Sequence, residues 1–409
     1  MMQQMLENGY QIVEPHDVAD IYIINTCTVT NMADRKSRQM TRRVKQQNPS
    51  AQVVVCGCYA QVAKEELSKI EGIDIILGTN EKNQLIQKIQ EHEKQTQTYI
   101  TDVMHQKEFA EFGPTTYSEK TRAVIKVQDG CDRFCSYCII PYARGRVRSR
   151  KPENIKEEVE KISQKGIKEI VITGIHIASY GKDFENGYKL IDLLEALNEI
   201  SGIERIRLGS LEPTLMTEEF VNRMAKLEKI CDHFHLSLQS GCDETLKRMN
   251  RKYTTKEFEE VTKRLRKVYP HVALTTDVIV GFPGETEQEF KQTYMFLKRI
   301  AFYKMHIFKY SKRNGTVAAK MPNQIPAELQ EKRSKILIAL SDENEKEQNQ
   351  SYLDKEVEVL LEEDEDGGMK GHTTNYIEVK VENATGMENQ IVKVHITGQE
   401  ENFLVGKLD

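Results

Sequence analysis

Three cysteines, Cys131, Cys135 and Cys138, are spaced three and then two residues apart in the segment DGCDRFCSYCIIP, from Asp129 to Pro141. Three thiolates this close on one loop can hold three irons of a four-iron, four-sulfur cubane, which leaves the fourth iron without a protein ligand. An open iron can be chelated by the amine and carboxylate of an amino acid. An electron from the cluster can then break the sulfonium bond of S-adenosylmethionine (SAM). Phe134 and Tyr137, lying between the thiolates, would keep water from the cluster and help set its potential. The alternative is a structural zinc site, but zinc wants a fourth close Cys or His and none is near in sequence.

The N-terminus lacks the charged, apolar and small-residue order of a secretory signal, so the eight cysteines are expected to meet a reducing, cytoplasmic environment. There, clustered cysteines suggest metal rather than disulfides. A net charge of -5 argues against coating nucleic acid by bulk electrostatics and leaves room for local basic patches. Arg144, Arg146, Arg148 and Arg150 alternate with small or apolar residues, so in an extended loop they would project to one side as a phosphate-contacting row. A solvated basic loop reads equally well from composition. The helical stretch bearing Arg35, Lys36, Arg38, Arg42, Arg43 and Lys45 is a second basic surface, with a solvated face as its default reading.

These residues need elements to position them. With 39% hydrophobic and 30% charged residues the chain reads as folded and soluble, and its 409 residues suffice for two or three domains. No apolar run approaches the roughly 20 residues of a membrane span, so no membrane is expected as a partner. Residues 1–95 alternate β-rich and helical runs: Asp20 to Thr28, Ala33 to Gln47, Gln52 to Cys58, Lys64 to Ile70 and Ile73 to Gly78. That order implies a parallel sheet covered by helices, preceded by a helix tail over Met1 to Gly9 and a strand near Tyr10 to Val13. A polar stretch with Gly113 and Pro114 reads as a linker. Over 117–350, strands near Ala123 to Gln128, Glu169 to Thr173, Arg205 to Leu211, His233 to Leu238, Leu274 to Val280 and Met305 to Tyr310 alternate with helical stretches. Six such units suggest an open, partial (β/α)6 barrel. Residues 351–409 read as a small antiparallel β-barrel, with strands Val357 to Leu361, Met369 to Thr373, Tyr376 to Val381 and Gln390 to Ile396. The fold class is therefore α/β with a terminal β-barrel.

Polar residues on otherwise apolar strands need buried partners. Thr173, Gly174 and His176 at the second strand end, Ser210 and Glu212 at the third, Gln239 at the fourth and Asp277 on the fifth read as SAM contacts. The other reading of Thr173 to His176 is a simple strand-to-helix turn. GFPGET from Gly281 lacks the Lys-Ser/Thr pair of a phosphate loop and reads as a tight turn. Cys231 and Cys242 have no metal-like neighbours and read as small buried residues. Lys370, His372, Asn375, Tyr376 and Lys380, among short strands, are the residues a small RNA-binding barrel would present.

The chain resembles the methylthiotransferase family of radical SAM enzymes along nearly its whole length. The matching stretches are NTCTVTNMADRKSRQ from Asn25, CGCYAQ from Cys56, GCDRFCSYCIIPYARGRVRSR from Gly130, TGIHIASYG from Thr173, SLQSGCDETLKRMNRKY from Ser237 and TTDVIVGFPGET from Thr275. Residues after Cys27 and the run Arg35 to Gln39 most resemble the branch acting on N6-threonylcarbamoyladenosine beside the anticodon of tRNA. The resemblance implies three domains: an N-terminal one with an auxiliary cluster, a radical SAM barrel and a TRAM-like RNA-binding barrel. It further implies two [4Fe–4S] clusters, SAM, a tRNA substrate and an electron donor, here unidentified. One SAM would methylate a sulfur carried by the auxiliary cluster and another would supply a radical, so that a methylthio group replaces hydrogen on carbon 2 of the adenine. The family's auxiliary cluster uses three cysteines. Cys27 and Cys58 occupy two of those positions and the first would lie upstream of Met1. Since the opening strand is missing too, the expectation is a late start codon or a truncated gene, with a crippled auxiliary site. Cys56 could stand in as a ligand, although strand alternation opposes it and a buried, incidental thiol is the favoured reading.

Overall fold

The computed structural model describes residues 1–93, 95–111 and 121–408; the proposed linker at Gly113 and Pro114 lies outside them. The chain forms two compact units, 1–117 with 129–149 and 311–320, and 118–128 with 150–310 and 321–409. The cysteine loop joins the N-terminal segment, and the terminal barrel joins the six-strand array.

In the first unit, β1 (Ile21–Thr26), β2 (Gln52–Gly57), β3 (Ile75–Leu77) and β4 (Gln97–Tyr99) form a parallel sheet in that order. Val53, Val54, Val55, Ile75, Ile76 and Leu77 are wholly buried, as expected of inner parallel strands covered on both faces. The helix Asn31–Gln47 starts where the Thr30 side chain accepts from the Ala33 amide. The short, polar β4 carries no strand pattern and was not anticipated. Residues 10–13 form no strand; the chain runs irregularly there after the helix Met2–Glu7. The segment 129–149 carries the three-cysteine loop, the helix Ile140–Arg144 and β6 (Arg148–Ser149).

In the second unit, β5 (Arg122–Asp129), β7 (Glu169–Gly174) and β8 (Arg205–Leu208) run parallel, as do β9 (His233–His235), β10 (Ala273–Val280) and β11 (Lys304–Lys309). Parallel bridges Ile206↔Ile230 and Leu211↔Leu236 join the two halves into a six-strand partial barrel. Its core includes Ile125, Ile170, Ile206, Phe234, Val278 and Leu297. Each such buried side chain contributes roughly 1.5–3 kcal/mol over an exposed one.

After the helix Ala327–Gln350, the strands β12 (Glu356–Glu365), β13 (Gly368–Thr373), β14 (Glu378–Glu382), β15 (Ile391–Glu400) and β16 (Phe403–Leu408) close a barrel in the order β12-β13-β14-β16-β15. The expected small antiparallel barrel is present, with one parallel pairing in its ring. β16 was not anticipated, and it pairs parallel with β14 to complete the ring. Register shifts at Leu361/Glu363 and Ile396/Gly398 bend β12 and β15 enough for closure.

This barrel docks on the N-terminal ends of the partial barrel's strands. Arg207 pairs with buried Glu169 at 2.7 Å, donates to the Thr374 carbonyl at 2.9 Å and lies 4.6 Å over the Tyr376 ring. Tyr376 also stacks on His372 at 4.6 Å and meets His233 at 5.1 Å, while Asn375 donates to the His271 carbonyl. Lys370 and Lys380 both face Glu365. Of the five residues expected to present to RNA, His372, Asn375 and Tyr376 are thus engaged within the unit. Among the described residues, no helix is long and apolar enough to cross a membrane.

Candidate functional site

The cysteine loop leaves β5 through Gly130 at φ +73°, where a Cβ would stand 1.7 Å from the Arg146 carbonyl oxygen. Only glycine permits that crossing. The Cys131 amide donates to the Gly145 carbonyl at 3.0 Å, the Cys138 amide to the Cys135 carbonyl at 2.9 Å, and Phe134 adopts φ +47° between them. Cys131 is buried and Cys135 and Cys138 are half-buried. Phe134 meets Tyr142 edge-to-face at 5.9 Å and carries the Arg146 guanidinium at 4.9 Å, which makes an aromatic shoulder on the loop. Among the described residues, no three His, Cys, Asp or Glu converge to hold a single metal ion. One zinc would draw its sulfurs to about 3.8 Å of each other by its bond lengths. The thiolates of a cubane bind three separate irons and need no common point.

In the same unit, Thr26 stands opposite Gly57 in register, so Cys27 and Cys58 leave neighbouring strands at one level of the sheet's carboxyl edge. Gly57 sits at φ +102°, and a Cβ there would lie 2.5 Å from the Thr26 carbonyl oxygen. Cys27 is exposed and Cys58 buried. The Arg144 Nε donates to Cys58 Sγ at 3.1 Å, and its Nη1 stands 3.4 Å from Asp129 Oδ2. Burial alone would lower the Arg144 proton affinity, but the charges of Cys58, Asp129 and Cys27 outweigh it and raise it. Arg313 donates to Thr28 and pairs with Asp34 at 2.6 Å, fixing the turn beside Cys27. Cys56 lies in the apolar layer with Met5, Val54 and Leu77, and burial pushes its thiol up.

In the second unit, Gly174 ends β7 where a Cβ would press to 2.9 Å from the Gln128 carbonyl oxygen. The Gln128 side chain accepts from the His176 amide at 2.7 Å. The His176 ring bonds Ser179 at 2.7 Å and Glu212 at 3.2 Å, and Arg251 stands 3.9 Å from the other Glu212 oxygen. Gln239, at φ +73°, has its amide bonded to the Asp277 carbonyl. The Asp277 carboxylate is directed elsewhere: it meets His235 at 3.3 Å, and His235 in turn lies 5.6 Å from His306. Ser210 is exposed and Thr173 half-buried.

Two family models match the chain: the radical SAM superfamily over residues 125–297, and the uncharacterized protein family UPF0004 over residues 1–78. The chain is 40% identical over 96% of its length to the threonylcarbamoyladenosine tRNA methylthiotransferase MtaB of Bacillus subtilis, covering 89% of that protein. Its match to the MtaB of Aquifex aeolicus is 41% over 93%, covering 92% of it. The chain belongs to the radical SAM methylthiotransferase family. A tRNA-2-methylthio-N(6)-dimethylallyladenosine synthase of Caldicellulosiruptor saccharolyticus is 36% identical over 98% of the chain, covering 87% of that relative. Among solved structures, the radical SAM methyltransferase TsrM of Kitasatospora setae aligns with TM-score 0.52 at 16% identity, over 72% of this chain and 62% of that one, a likeness of fold alone.

Membership in the radical SAM methylthiotransferase family implies a four-iron, four-sulfur cluster and SAM, and the loop of Cys131, Cys135 and Cys138 has the donor set for such a cluster. The arginine row needs correction. Arg148 is 1% exposed and reaches toward Asp129, and Arg150 is buried in an ion pair with Glu158. Arg144 turns inward to Cys58, so of the four only Arg146 is exposed. The backbone of this segment is a helix and a short strand rather than an extended loop, so alternation did not put the side chains on one side. On the helix Asn31–Gln47, Arg35, Lys36, Arg42 and Arg43 are exposed, while Arg38 bonds Tyr59 and Lys45 pairs with Asp74. Sequence reasoning missed Gln128, Arg251, His235 and His306. The signal that singled out Asp277, a polar residue within an apolar strand, was also present at His235 and His306.

Proposed function

We propose that this chain transfers a methylthio group to carbon 2 of N6-threonylcarbamoyladenosine next to the anticodon of tRNA, in the cytoplasm. The observation that supports this reading is the 40% identity, over nearly the whole chain, to a relative named for that nucleoside. In this reading Cys131, Cys135 and Cys138 ligate the radical SAM cluster, and Cys27 and Cys58 ligate the auxiliary one. When bound, the clusters and SAM supply the one-electron chemistry and the sulfur.

The chain's own residues bind and orient. Gly174 allows close backbone approach, and Ser179, Glu212 and Arg251 hold the His176 ring in one orientation at the SAM site. Thr173, Ser210 and Gln239 complete that site. Asp277 is assigned to the same site, with its carboxylate engaged by His235. Arg146 and the exposed Arg35, Lys36, Arg42 and Arg43 contact tRNA phosphates. The electron donor is a separate partner.

A specific observation favours a second reading, a tRNA-binding protein that generates the radical without inserting sulfur. Among the described residues, Cys27 and Cys58 leave the sheet edge together, and Cys56 is sequestered in the core. Anaerobic reconstitution with iron, sulfide, SAM, reductant and tRNA carrying threonylcarbamoyladenosine separates the readings. The methylthio form of that nucleoside supports the first. Deoxyadenosine without a methylthio product supports the second, and methylthiolation confined to dimethylallyladenosine tRNA overturns the acceptor assigned here.

A further inference from the structure

We propose that Arg144 is a positioning residue for the auxiliary cluster, tying the Cys58 sulfur to the radical SAM loop and holding the potential of a cluster bound at Cys58 upward. This rests on the reading of Cys27 and Cys58 as auxiliary ligands. The Nε to Sγ distance is 3.1 Å, and the same guanidinium reaches Asp129, two residues before Cys131, at 3.4 Å. One side chain therefore touches a thiol of one cysteine set and the carboxylate that opens the loop of the other.

A cubane carried by thiolates is net negative and becomes more so on reduction. An N–H donor and a fixed cation beside a ligand sulfur therefore favour the reduced form and raise the potential. The geometry leaves Arg144 little freedom. It is the last residue of the helix Ile140–Arg144, and Gly145 turns the chain at φ +75°, where a Cβ would stand 2.0 Å from the Val103 carbonyl oxygen. Arg313 in turn braces Thr28 and Asp34 beside Cys27. The plainer reading of Arg144 is an ion pair with Asp129. That carboxylate has a second cation in Arg148 at 3.8 Å, so replacing Arg144 does not strand it.

The test uses the full chain with Cys131, Cys135 and Cys138 changed to Ala, so that any cluster signal is auxiliary. After anaerobic loading with iron and sulfide, iron is counted and the midpoint potential is followed by paramagnetic resonance. With Arg144→Met the potential is expected to move negative at unchanged iron content. Arg144→Lys keeps the charge but loses the Nε donor, and should move it less in the same direction. If the Met variant fails to load, the Lys variant decides: a negative shift supports the proposal and the parental potential overturns it. Parental potentials in both variants leave Arg144 an ion-pair residue only. A chain that binds no iron before Arg144 is changed overturns the auxiliary assignment itself, and this inference with it.

Discussion

Replacing Arg207 by Met should unseat the terminal barrel from the partial barrel. The side chain is 4% exposed and its partner Glu169 is 1% exposed, so the substitution leaves a buried carboxylate without its close cation. Breaking such a pair from one side typically costs about 3–5 kcal/mol. Arg205 remains 4.0 Å from the other Glu169 oxygen, which places the expected loss from the ion pair near the lower end, about 3 kcal/mol. Hydrogen bonds to the Thr373 and Thr374 carbonyls and the contact with the Tyr376 ring are lost as well, each worth about 1 kcal/mol. Calorimetry on the full chain should show the transition of the second unit falling by about 12 °C, at about 2 °C per kcal/mol for a unit of this size. Adding Glu169→Gln to the variant removes the stranded charge and should recover part of the loss. A fall of under about 1 °C, well below that scale, or no recovery in the double variant, would refute the claim that this buried pair holds the interface.

Two further outcomes follow from the geometry. Gly130→Ala puts a Cβ where the Arg146 carbonyl oxygen stands, in a left-handed backbone conformation, so the loop must shift; iron bound per chain should fall by at least half, and parental iron content would show that the crossing tolerates a methyl. His233 is held neutral, its pKa well below the ordinary imidazole value, first by burial and then by the Arg207 charge with His235, His306 and His372 nearby. Because the unfolded chain binds that proton more readily, stability present above about pH 6.5 should decline below it, by about 1 kcal/mol per pH unit. His306, also lowered by burial and by His235, adds in the same direction. Denaturation midpoints across that range should fall more steeply in the parent than in His233→Gln, and equal slopes would sink the assignment.

Much of the frame was legible because it depends on local pattern. Runs of wholly buried β-branched residues such as Val53 to Val55 marked the parallel strands, and the capped helix Asn31–Gln47 followed its sequence signals. Strands β4 and β16 escaped, since a three-residue polar edge and a short strand interrupted by Gly406 carry almost no periodicity. The arginine row failed for a different reason. Its alternation was real, but projection to one side requires an extended backbone, and Arg144 ends a helix while Arg148 and Arg150 are buried in ion pairs. Tyr376 showed a related limit: its type suits RNA stacking, but only the fold shows that its ring, 38% exposed, also contacts His372, His233 and Arg207.

Sequence alone determined what depends on spacing along the chain: the thiol set Cys131, Cys135 and Cys138, the glycine before it, and the β/α alternation that carries the loop. Tertiary structure decided what depends on distant segments meeting. It put Cys27 and Cys58 at one level of a sheet edge, brought Arg144 to the Cys58 sulfur across 86 positions of chain, and turned Asp277 toward His235. Covalent spacing constrains neighbours directly, whereas a long-range pairing is set only by how whole elements pack, and no short motif records that.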